Sequence, residues 1–241
     1  MTKVLVLGAS GATGRLVVKM LLQKGTAVVA IVRDKKSLIN MDSAHPGLQI
    51  IEAEISGISE NNLARHLTGC EVIVSCLGHN LTLKGMFGHP RQLVTDAIKK
   101  VAKTIESINT DKKFKIILMN TTGNSNRDIP EKPPYSQRFV ISLLRLLLPP
   151  HVDNENAADF LRMQIGQNNT HIEWVVVRPD GLIDDDQVSQ YDICNSPIRN
   201  VIFDAGKTSR INVADFMSDL AVMPGLWNEW KGKMPVIYNH A

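Results

Sequence analysis

Residues 3–18 read KVLVLGASGATGRLVV and predict a buried strand, a glycine-rich turn and a helix, in that order. Residues 4–7 are all apolar, which is typical of a parallel strand that is covered on both faces. Gly8, Gly11 and Gly14 follow at intervals of three, and apolar residues then recur at helical spacing. Glycines let the backbone approach a pyrophosphate closely, and the first turn of the helix offers it free N–H groups. The stretch therefore predicts a dinucleotide site, with an ordinary strand-to-helix turn as the alternative.

The length and composition of the chain favour one globular domain over residues 1–241. The chain is 44% hydrophobic and long enough to bury a core without a disulfide or a metal. Lys and Arg number 27 and Asp and Glu number 24, so the net charge of +3 gives no argument for a nucleic-acid partner. The acidic run at residues 184–186 is typical of a solvated turn, and we expect no metal site.

Cysteine content and hydropathy bear on the compartment. Three cysteines without a framework spacing indicate reduced thiols in a cytosol-like compartment. The first strand begins at Lys3, so we expect no signal peptide. The longest apolar run, Phe139 to Leu148, is interrupted by Arg145 and is too short to span a bilayer. We therefore predict a cytoplasmic protein without a membrane partner.

The end of the second predicted strand, residues 27–32, bears on which dinucleotide binds. An arginine at this tip pairs with the 2′-phosphate of NADP, whereas an acidic residue there binds the ribose hydroxyl of NAD. Arg33 stands at the tip and Asp34 follows it, while Arg15, directly after the last glycine, is a second candidate for the phosphate. We predict NADP (NADPH), with NAD as the alternative if Asp34 binds the ribose.

The Gly-x-x-Gly-x-x-Gly spacing, with Ala9, Ser10, Ala12 and Thr13 between the glycines, resembles that of the short-chain dehydrogenase/reductase superfamily. More narrowly it is similar to the atypical branch that contains NmrA-like and biliverdin-IXβ or flavin-reductase-like proteins. The resemblance implies a doubly wound, Rossmann-like three-layer α/β/α fold with a mostly parallel sheet of about seven strands.

The resemblance also implies which residues surround the cofactor. Glu54-Ile55 matches loosely a pair under the adenine, and Gly78 stands where a close backbone approach to the cofactor is needed. Arg178-Pro179 resembles an element that lines the nicotinamide side, although Asp180 replaces its usual glycine. The predicted cofactor-binding residues are Gly8, Ser10, Gly11, Ala12, Thr13, Gly14, Arg15, Arg33, Glu54, Ile55, Cys76, Leu77, Gly78, Thr121, Arg178 and Pro179.

The catalytic residues are harder to predict, because the superfamily's Tyr-x-x-x-Lys pair is absent from the chain. In that pair the tyrosine donates a proton and the lysine holds the ribose. Its positions fall at about Pro150 and Asn154, which cannot perform this chemistry. Thr121 and Thr122 stand where the superfamily places a Ser or Thr that binds the substrate carbonyl, with strand-end capping as the alternative. The candidate catalytic residues are Thr121, Thr122, His79 and His151, where His79 is expected at the mouth of the cleft.

Residues 124–150 are predicted to form an insertion. It could serve as a lid or as a wall of the substrate site. The alternative is that residues 137–148 form a buried packing helix. We expect Asp153 or Asn154 to cap the helix that follows.

The missing pair argues against ordinary alcohol or ketone dehydrogenation. The resemblance implies an NADPH-dependent reductase of a flavin-, quinone- or bilin-like acceptor. The alternative is a non-catalytic NAD(P) sensor that binds protein partners, and an epimerase or dehydratase is a third hypothesis. The small-molecule substrate is not identified by the sequence, and a homodimer is compatible with it.

Overall fold

An eight-stranded sheet runs through the centre of the computed structural model, which describes residues 2–38, 45–79, 88, 90–108, 110–131 and 134–240. The strands are β1 (Lys3–Leu7), β2 (Ala27–Val32), β3 (Leu48–Glu52), β4 (Val72–Ser75), β5 (Phe114–Met119), β6 (Ile172–Pro179), β7 (Gly181–Ile183), β8 (Tyr191–Cys194), β9 (Lys207–Ser209) and β10 (Val236–Asn239). Their order in the main sheet is β3-β2-β1-β4-β5-β6-β10-β8. All neighbours are parallel except the edge strand β8, which runs antiparallel to β10.

Seven α-helices are present in the described residues and cover both faces of this sheet. They are α1 (Ala12–Gln23), α2 (Glu60–Leu67), α3 (Leu93–Ser107), α4 (Tyr135–Leu147), α5 (Pro149–Asp159), α6 (Arg210–Val222) and α7 (Pro224–Trp230). One apolar cluster joins α2, α3 and α5 to one face of the sheet, and a second joins α1, α6 and α7 to the other. Alternate residues of the central strands enter alternate clusters, as expected for strands buried on both faces. The predicted three-layer, doubly wound α/β fold is therefore confirmed.

The strand order determines where a ligand binds. From β1 the chain continues to β2 and β3 on one side, then returns to β4 on the other. The order reverses between β1 and β4, and open α/β sheets bind ligands beyond the carboxyl ends of the strands at such a point. The glycine turn follows β1 and Gly78 lies just beyond β4, so both lie at this crevice.

The main sheet has eight strands, which agrees with the prediction of about seven. Outside the main sheet, β9 pairs in parallel with β7 in a separate two-stranded sheet. Helix α5 begins at Pro149, so Asp153 and Asn154 lie inside this helix and neither caps it. Within the described residues, no helix has both the length and the hydrophobicity to cross a lipid bilayer.

Candidate functional site

The glycine turn between β1 and α1 has no room for side chains. Gly8 has a φ of +71°, and a Cβ on it would lie 2.6 Å from the carbonyl oxygen of Cys76. A Cβ on Gly14 would lie 2.1 Å from the carbonyl oxygen of Gly8. Both distances are far inside van der Waals contact, so glycine is required at both positions. The turn thereby keeps β1, β4 and the start of α1 in direct backbone contact.

The start of α1 faces the crevice with unused backbone donors. Gly11 is the N-cap residue and its lack of a side chain leaves the first turn without a side-chain cap. Together with Ser10 it lines a cleft of about 220 Å³ that extends over the ends of β1, β2 and β4. Free N–H groups at a helix N-terminus attract anions. The geometry therefore fits the pyrophosphate of a dinucleotide.

The tip of β2 borders the same cleft. Arg33 lines the cleft and is exposed, and among the described residues no carboxylate pairs with it. Asp34 is engaged elsewhere, because its side chain accepts a hydrogen bond from the N–H of Lys36 (2.8 Å) at the start of a 3₁₀ turn, Lys35–Leu38. The guanidinium is thus available to a ligand, whereas the carboxylate is already part of a turn.

The loop after β3 forms one wall of the cleft. Glu54 and Ile55, the pair that the resemblance places under the adenine, both line this cleft. Lys100 of α3 holds this loop by donating from Nζ to the carbonyl oxygens of Ile55 (3.0 Å), Ser56 (2.7 Å) and Ile58 (3.0 Å). This role of Lys100 could not be predicted from the sequence, because the three carbonyls that it binds are more than 40 residues away in the chain.

Residues 76–78 form the wall beyond β4. Cys76, Leu77 and Gly78 all line the cleft. Burial raises the pKa of the Cys76 thiol to about 12, so it stays protonated near neutral pH. Cys76 thus contributes packing to the cleft and no reactive thiolate.

The end of β5 brings two of the predicted catalytic residues together. Thr121 is half-buried, and its Oγ1 accepts a hydrogen bond from the N–H of Gly123 (3.3 Å). The ring of His151 packs against the same glycine, because a Cβ on Gly123 would lie 3.2 Å from His151 Cε1 and 3.7 Å from Thr121 Oγ1. The glycine therefore lets the imidazole of α5 approach the threonine of β5.

A carboxylate one helical turn further along supports His151. His151 Nε2 lies 3.5 Å from Glu155 Oε1, and Arg145 binds the same carboxylate with two hydrogen bonds of 2.8 and 2.9 Å. Burial opposes ionisation of Glu155, but His151 and Arg145 outweigh it and lower its pKa to about 2. The His151 ring therefore lies between an ionised carboxylate on one side and Gly123 on the other.

The expectation that His79 stands at the mouth of the cleft is wrong. His79 is nearly fully buried, and its Nε2 lies 2.8 Å from Oδ2 of Asp153. The same carboxylate accepts hydrogen bonds from the N–H groups of Val94 (2.8 Å) and Thr95 (2.9 Å). Asp153 therefore caps α3 from another helix, and His79 belongs to that junction.

Thr122, also predicted to be catalytic, is buried and donates from Oγ1 to Asp180 Oδ1 (3.1 Å). Asp180 also accepts from the N–H groups of Gly206 (2.8 Å) and Gly181 (3.0 Å). Burial raises the pKa of this carboxyl group, although the three hydrogen bonds oppose the shift. Asp180, which replaces the expected glycine, thus connects β5, β6 and the loop before β9 by hydrogen bonds. Thr122 is one of its donors.

Arg178 does not reach the cleft. Its side chain has no exposed surface and binds both oxygens of Glu131 (2.7 and 3.1 Å). It also donates to the carbonyl oxygens of Asn124 (2.9 Å) and Met234 (2.8 Å). The carbonyl oxygen of Asn195 (3.3 Å) accepts the fifth N–H, so none is free for a cofactor, and the side chain holds the segment at residues 124–131. Pro179 ends β6 and its carbonyl accepts from the N–H of Thr122 (3.1 Å).

Two further clefts adjoin the end of β5. One of about 370 Å³ is bounded by Thr122, Glu131, Gln137 and Arg199, and another lies under α4 and includes Ile141. Both are separate from the cleft at the glycine turn.

The positions of the missing catalytic pair have structural roles. Pro150 lies in the first turn of α5, where proline is tolerated because no N–H is needed. The carbonyl of Asn154 accepts from the side-chain amide of Asn120 (2.8 Å), which joins α5 to the end of β5. The described residues contain no group of three or more His, Cys, Asp or Glu arranged to hold a metal ion.

Comparison with known proteins agrees with this geometry. A family model described as NAD(P)H-binding matches residues 8–224, which is most of the chain. The chain belongs to this NAD(P)H-binding family. The expected NAD(P)-binding character is thereby confirmed, and a nicotinamide dinucleotide fits the cleft beside Gly8 and Gly11. No curated protein matches the sequence.

Solved structures of similar proteins share the fold over nearly their whole length. A short-chain dehydrogenase/reductase from Veillonella parvula in complex with NADP is 15% identical, with a TM-score of 0.69 and coverage of 99% of this chain and 94% of that one. A candidate NADH-flavin reductase from Streptococcus pneumoniae is 17% identical, with a TM-score of 0.65 and full coverage of both chains. An anaerobillin reductase from Escherichia coli O157:H7 is 16% identical, with a TM-score of 0.67 and coverage of 99% and 97%. At these identities the likeness shows the fold alone.

Proposed function

We propose that the protein is an NADPH-dependent reductase of a flavin-, quinone- or bilin-like acceptor. The observation that carries the proposal is the cleft beside the tight glycine turn, which Gly8 and Gly11 line together with Arg33 at the tip of β2. Arg33 has no carboxylate partner among the described residues. The reductases among the similar structures support the reaction class and the choice of flavin-like and bilin-like acceptors.

The choice of NADPH over NADH rests on Arg33 and Asp34. A guanidinium binds a phosphate with two parallel hydrogen bonds, each contributing about 1.5–3 kcal/mol. Two such bonds correspond to about a hundredfold or more in affinity. Asp34, which would favour NAD, is engaged in its 3₁₀ turn. The other predicted phosphate ligand, Arg15, is exposed in the first turn of α1.

Two residues beside the end of β5, Thr121 and His151 of α5, bind the acceptor and supply the proton in this proposal. A bound nicotinamide supplies the hydride. Thr121 donates a hydrogen bond to the acceptor oxygen or nitrogen that gains electron density, and His151 delivers a proton from the ring edge that faces Gly123. Glu155 stays ionised and stabilises the positive charge on the imidazole before the proton leaves. A tyrosine acid is then not required.

Fluorescence titration with NADPH and NADH tests the cofactor assignment. Arg33→Ala is expected to weaken NADPH binding about a hundredfold and to leave NADH binding within about threefold, because only NADPH carries the 2′-phosphate. Arg65→Ala, on the exposed surface of α2, is the matched control and is expected to change neither. Unchanged NADPH affinity in Arg33→Ala would contradict the assignment to NADP.

Turnover is then measured as NADPH consumption with a panel of flavins, quinones and bilins. His151→Gln is expected to lower kcat about a hundredfold or more while NADPH binding stays unchanged, since general acid catalysis contributes about that much. Tight NADPH binding with no turnover on any acceptor would favour the non-catalytic sensor. Full activity of His151→Gln would remove the histidine from the mechanism.

A further inference from the structure

Helix α4 carries an apolar face that nothing in the described structure covers. The residues concerned are Tyr135, Phe139, Leu143, Leu146 and Leu147, and we call them the α4 apolar face. Tyr135 is 86% exposed, Leu146 80% and Phe139 72%. At 100° per residue these side chains project from one side of the helix. Only Gln137 and Ile141 of this helix are buried, so the predicted buried packing helix is not what the structure has.

The size of this face exceeds what scattered surface residues provide. Tyrosine and phenylalanine present about 150–250 Å² each, so the two aromatic residues alone expose on the order of 300 Å². Three leucines extend the patch along more than two turns of helix. Contiguous apolar patches of this size mark a contact with a protein or a membrane.

The charged side chains of α4 itself are of one sign. Residues 132–152 contain no Asp or Glu, whereas Arg138 and Arg145 flank the apolar face on α4. Among the described residues Arg138 has no carboxylate partner, and its guanidinium lies 5.7 Å from the ring centroid of Tyr135. Arg145 is paired with Glu155 yet remains partly exposed. A helix that is apolar on one face and basic at its flank fits an anionic lipid surface.

A second copy of the chain is a poorer match. A twofold interface brings a surface against itself, so α4 would meet α4. Arg138, which has no carboxylate partner among the described residues, would then lie close to its own copy in the second chain, and α4 has no carboxylate to pair with it. An anionic surface has the complementary charge along the whole helix.

We infer that α4 lies in the headgroup region of an anionic membrane, with its apolar face inserted and Arg138 and Arg145 at the phosphates. The helix rests on the bilayer and does not cross it. This departs from the sequence-based expectation of no membrane partner, which was drawn from the inability of the same segment to span.

The position of α4 relates this surface to the proposed acceptor. The inner side of α4 borders both clefts beyond β5 through Gln137 and Ile141. A quinone-like acceptor dissolved in the bilayer would therefore reach Thr122 and the nearby Thr121 past this helix. This last step rests on the proposed reductase function, whereas binding to the membrane does not.

Flotation of the full-length protein with lipid vesicles tests the inference without nucleotide or acceptor. Binding is expected to vesicles of phosphatidylcholine mixed with phosphatidylglycerol, to be weaker on phosphatidylcholine alone, and to weaken with added salt. Phe139→Ser combined with Leu146→Ser is expected to lower binding about tenfold or more, because it removes inserted apolar surface. Arg138→Gln is expected to lower binding to the anionic vesicles only.

Matched controls keep the result specific. Leu143 is 44% exposed on α4 and Met223 is 48% exposed in the opposite helix layer. Leu143→Ser should weaken vesicle binding and Met223→Ser should not. Arg65→Gln is the corresponding control for Arg138→Gln. Circular dichroism of each variant establishes that it is folded.

Two outcomes would overturn the inference. If the protein binds neutral and anionic vesicles equally, or binds neither, an anionic membrane is not the partner of the α4 apolar face. Dimerisation in sedimentation velocity that Phe139→Ser abolishes identifies a second copy of the chain on α4 instead. Because NADPH titration and turnover are measured separately in solution, failure of vesicle binding and failure of the reductase proposal are distinguishable.

Discussion

At the scale of single residues, Gly14 is closely enclosed by the backbone of the glycine turn. It lies in the first turn of α1, and a Cβ there would lie 2.1 Å from the carbonyl oxygen of Gly8. Gly14→Ala must therefore separate α1 from the glycine turn. We expect a loss of about 1–3 kcal/mol in the free energy of unfolding, typical of overpacking. NADPH affinity, measured by fluorescence titration, should fall by at least about tenfold through the displaced pyrophosphate donors.

Gly225 provides the matched comparison. It lies in α7, and no atom lies within 4 Å of the position that its Cβ would take. Gly225→Ala is expected to stabilise the protein by up to about 1 kcal/mol through the unfolded state and to leave NADPH binding unchanged. If Gly14→Ala behaved like Gly225→Ala in urea unfolding and in titration, close packing at the glycine turn would not matter.

Glu155 predicts a pH dependence of stability. Its pKa falls from an ordinary 4.5 to about 2 in the folded protein. A carboxylate with a depressed pKa stabilises the folded state above its unfolded pKa, and this stabilisation is lost as the pH falls towards the folded value. The free energy of unfolding should therefore decline between about pH 4.5 and pH 2, measured by urea titration at each pH. Glu155→Gln should flatten that decline, and an unchanged slope would contradict the assignment.

At the scale of elements, α3 begins at a cap supplied by another helix. The carboxylate of Asp153 in α5 accepts from the N–H groups of Val94 and Thr95 and lies 2.8 Å from His79 Nε2. Asp153→Ala leaves those buried donors without an acceptor. We expect a loss of about 2 kcal/mol in the free energy of unfolding, in the range of lost caps and unsatisfied buried groups. Urea unfolding monitored by circular dichroism measures it.

Two variants separate the cap from other effects of substitution. Asp153→Asn keeps one acceptor oxygen without the charge and should lose about half as much stability. Asp111→Ala, in the exposed loop before β5, should change stability by less than about 0.5 kcal/mol. Equal losses in Asp153→Ala and Asp111→Ala would show that α3 does not depend on this cap.

At the scale of the whole molecule, the sheet and the cofactor cleft could be predicted from the sequence because their signals are local. Buried parallel strands are apolar throughout, and β2 has the bounds that the sequence predicts. The spacing of the glycines likewise predicts the turn, and the dinucleotide site beside it, from seven residues. Each of these features is determined by residues that are close together in the chain. A pattern in the sequence can therefore reveal it.

The parts that could not be predicted depend on contacts between distant residues. Arg178 resembles a cofactor residue by its motif, yet its partner Glu131 lies 47 positions away and determines its orientation. His79 meets Asp153 across 74 positions, which moves it from the cleft to a helix junction. Charged side chains give no sequence period that reveals such pairs. For the same reason, the contact between His151 and Gly123 could not be predicted from the sequence.

The chain is expected to unfold as one cooperative unit that its cofactor stabilises as a whole. The helices of both layers pack on one continuous sheet, and the cleft at Gly8 is built from β1, β2 and β4 together. NADPH at a hundred times its Kd should add about 2.7 kcal/mol to the free energy of unfolding. For a chain of this length that corresponds to a rise in Tm of about 5–10 °C. In calorimetry a single transition should shift upward with NADPH and far less in Arg33→Ala. Two transitions, of which only one moves, would divide the chain into independent domains, and a Tm that NADPH leaves unchanged would remove the nucleotide from the cleft.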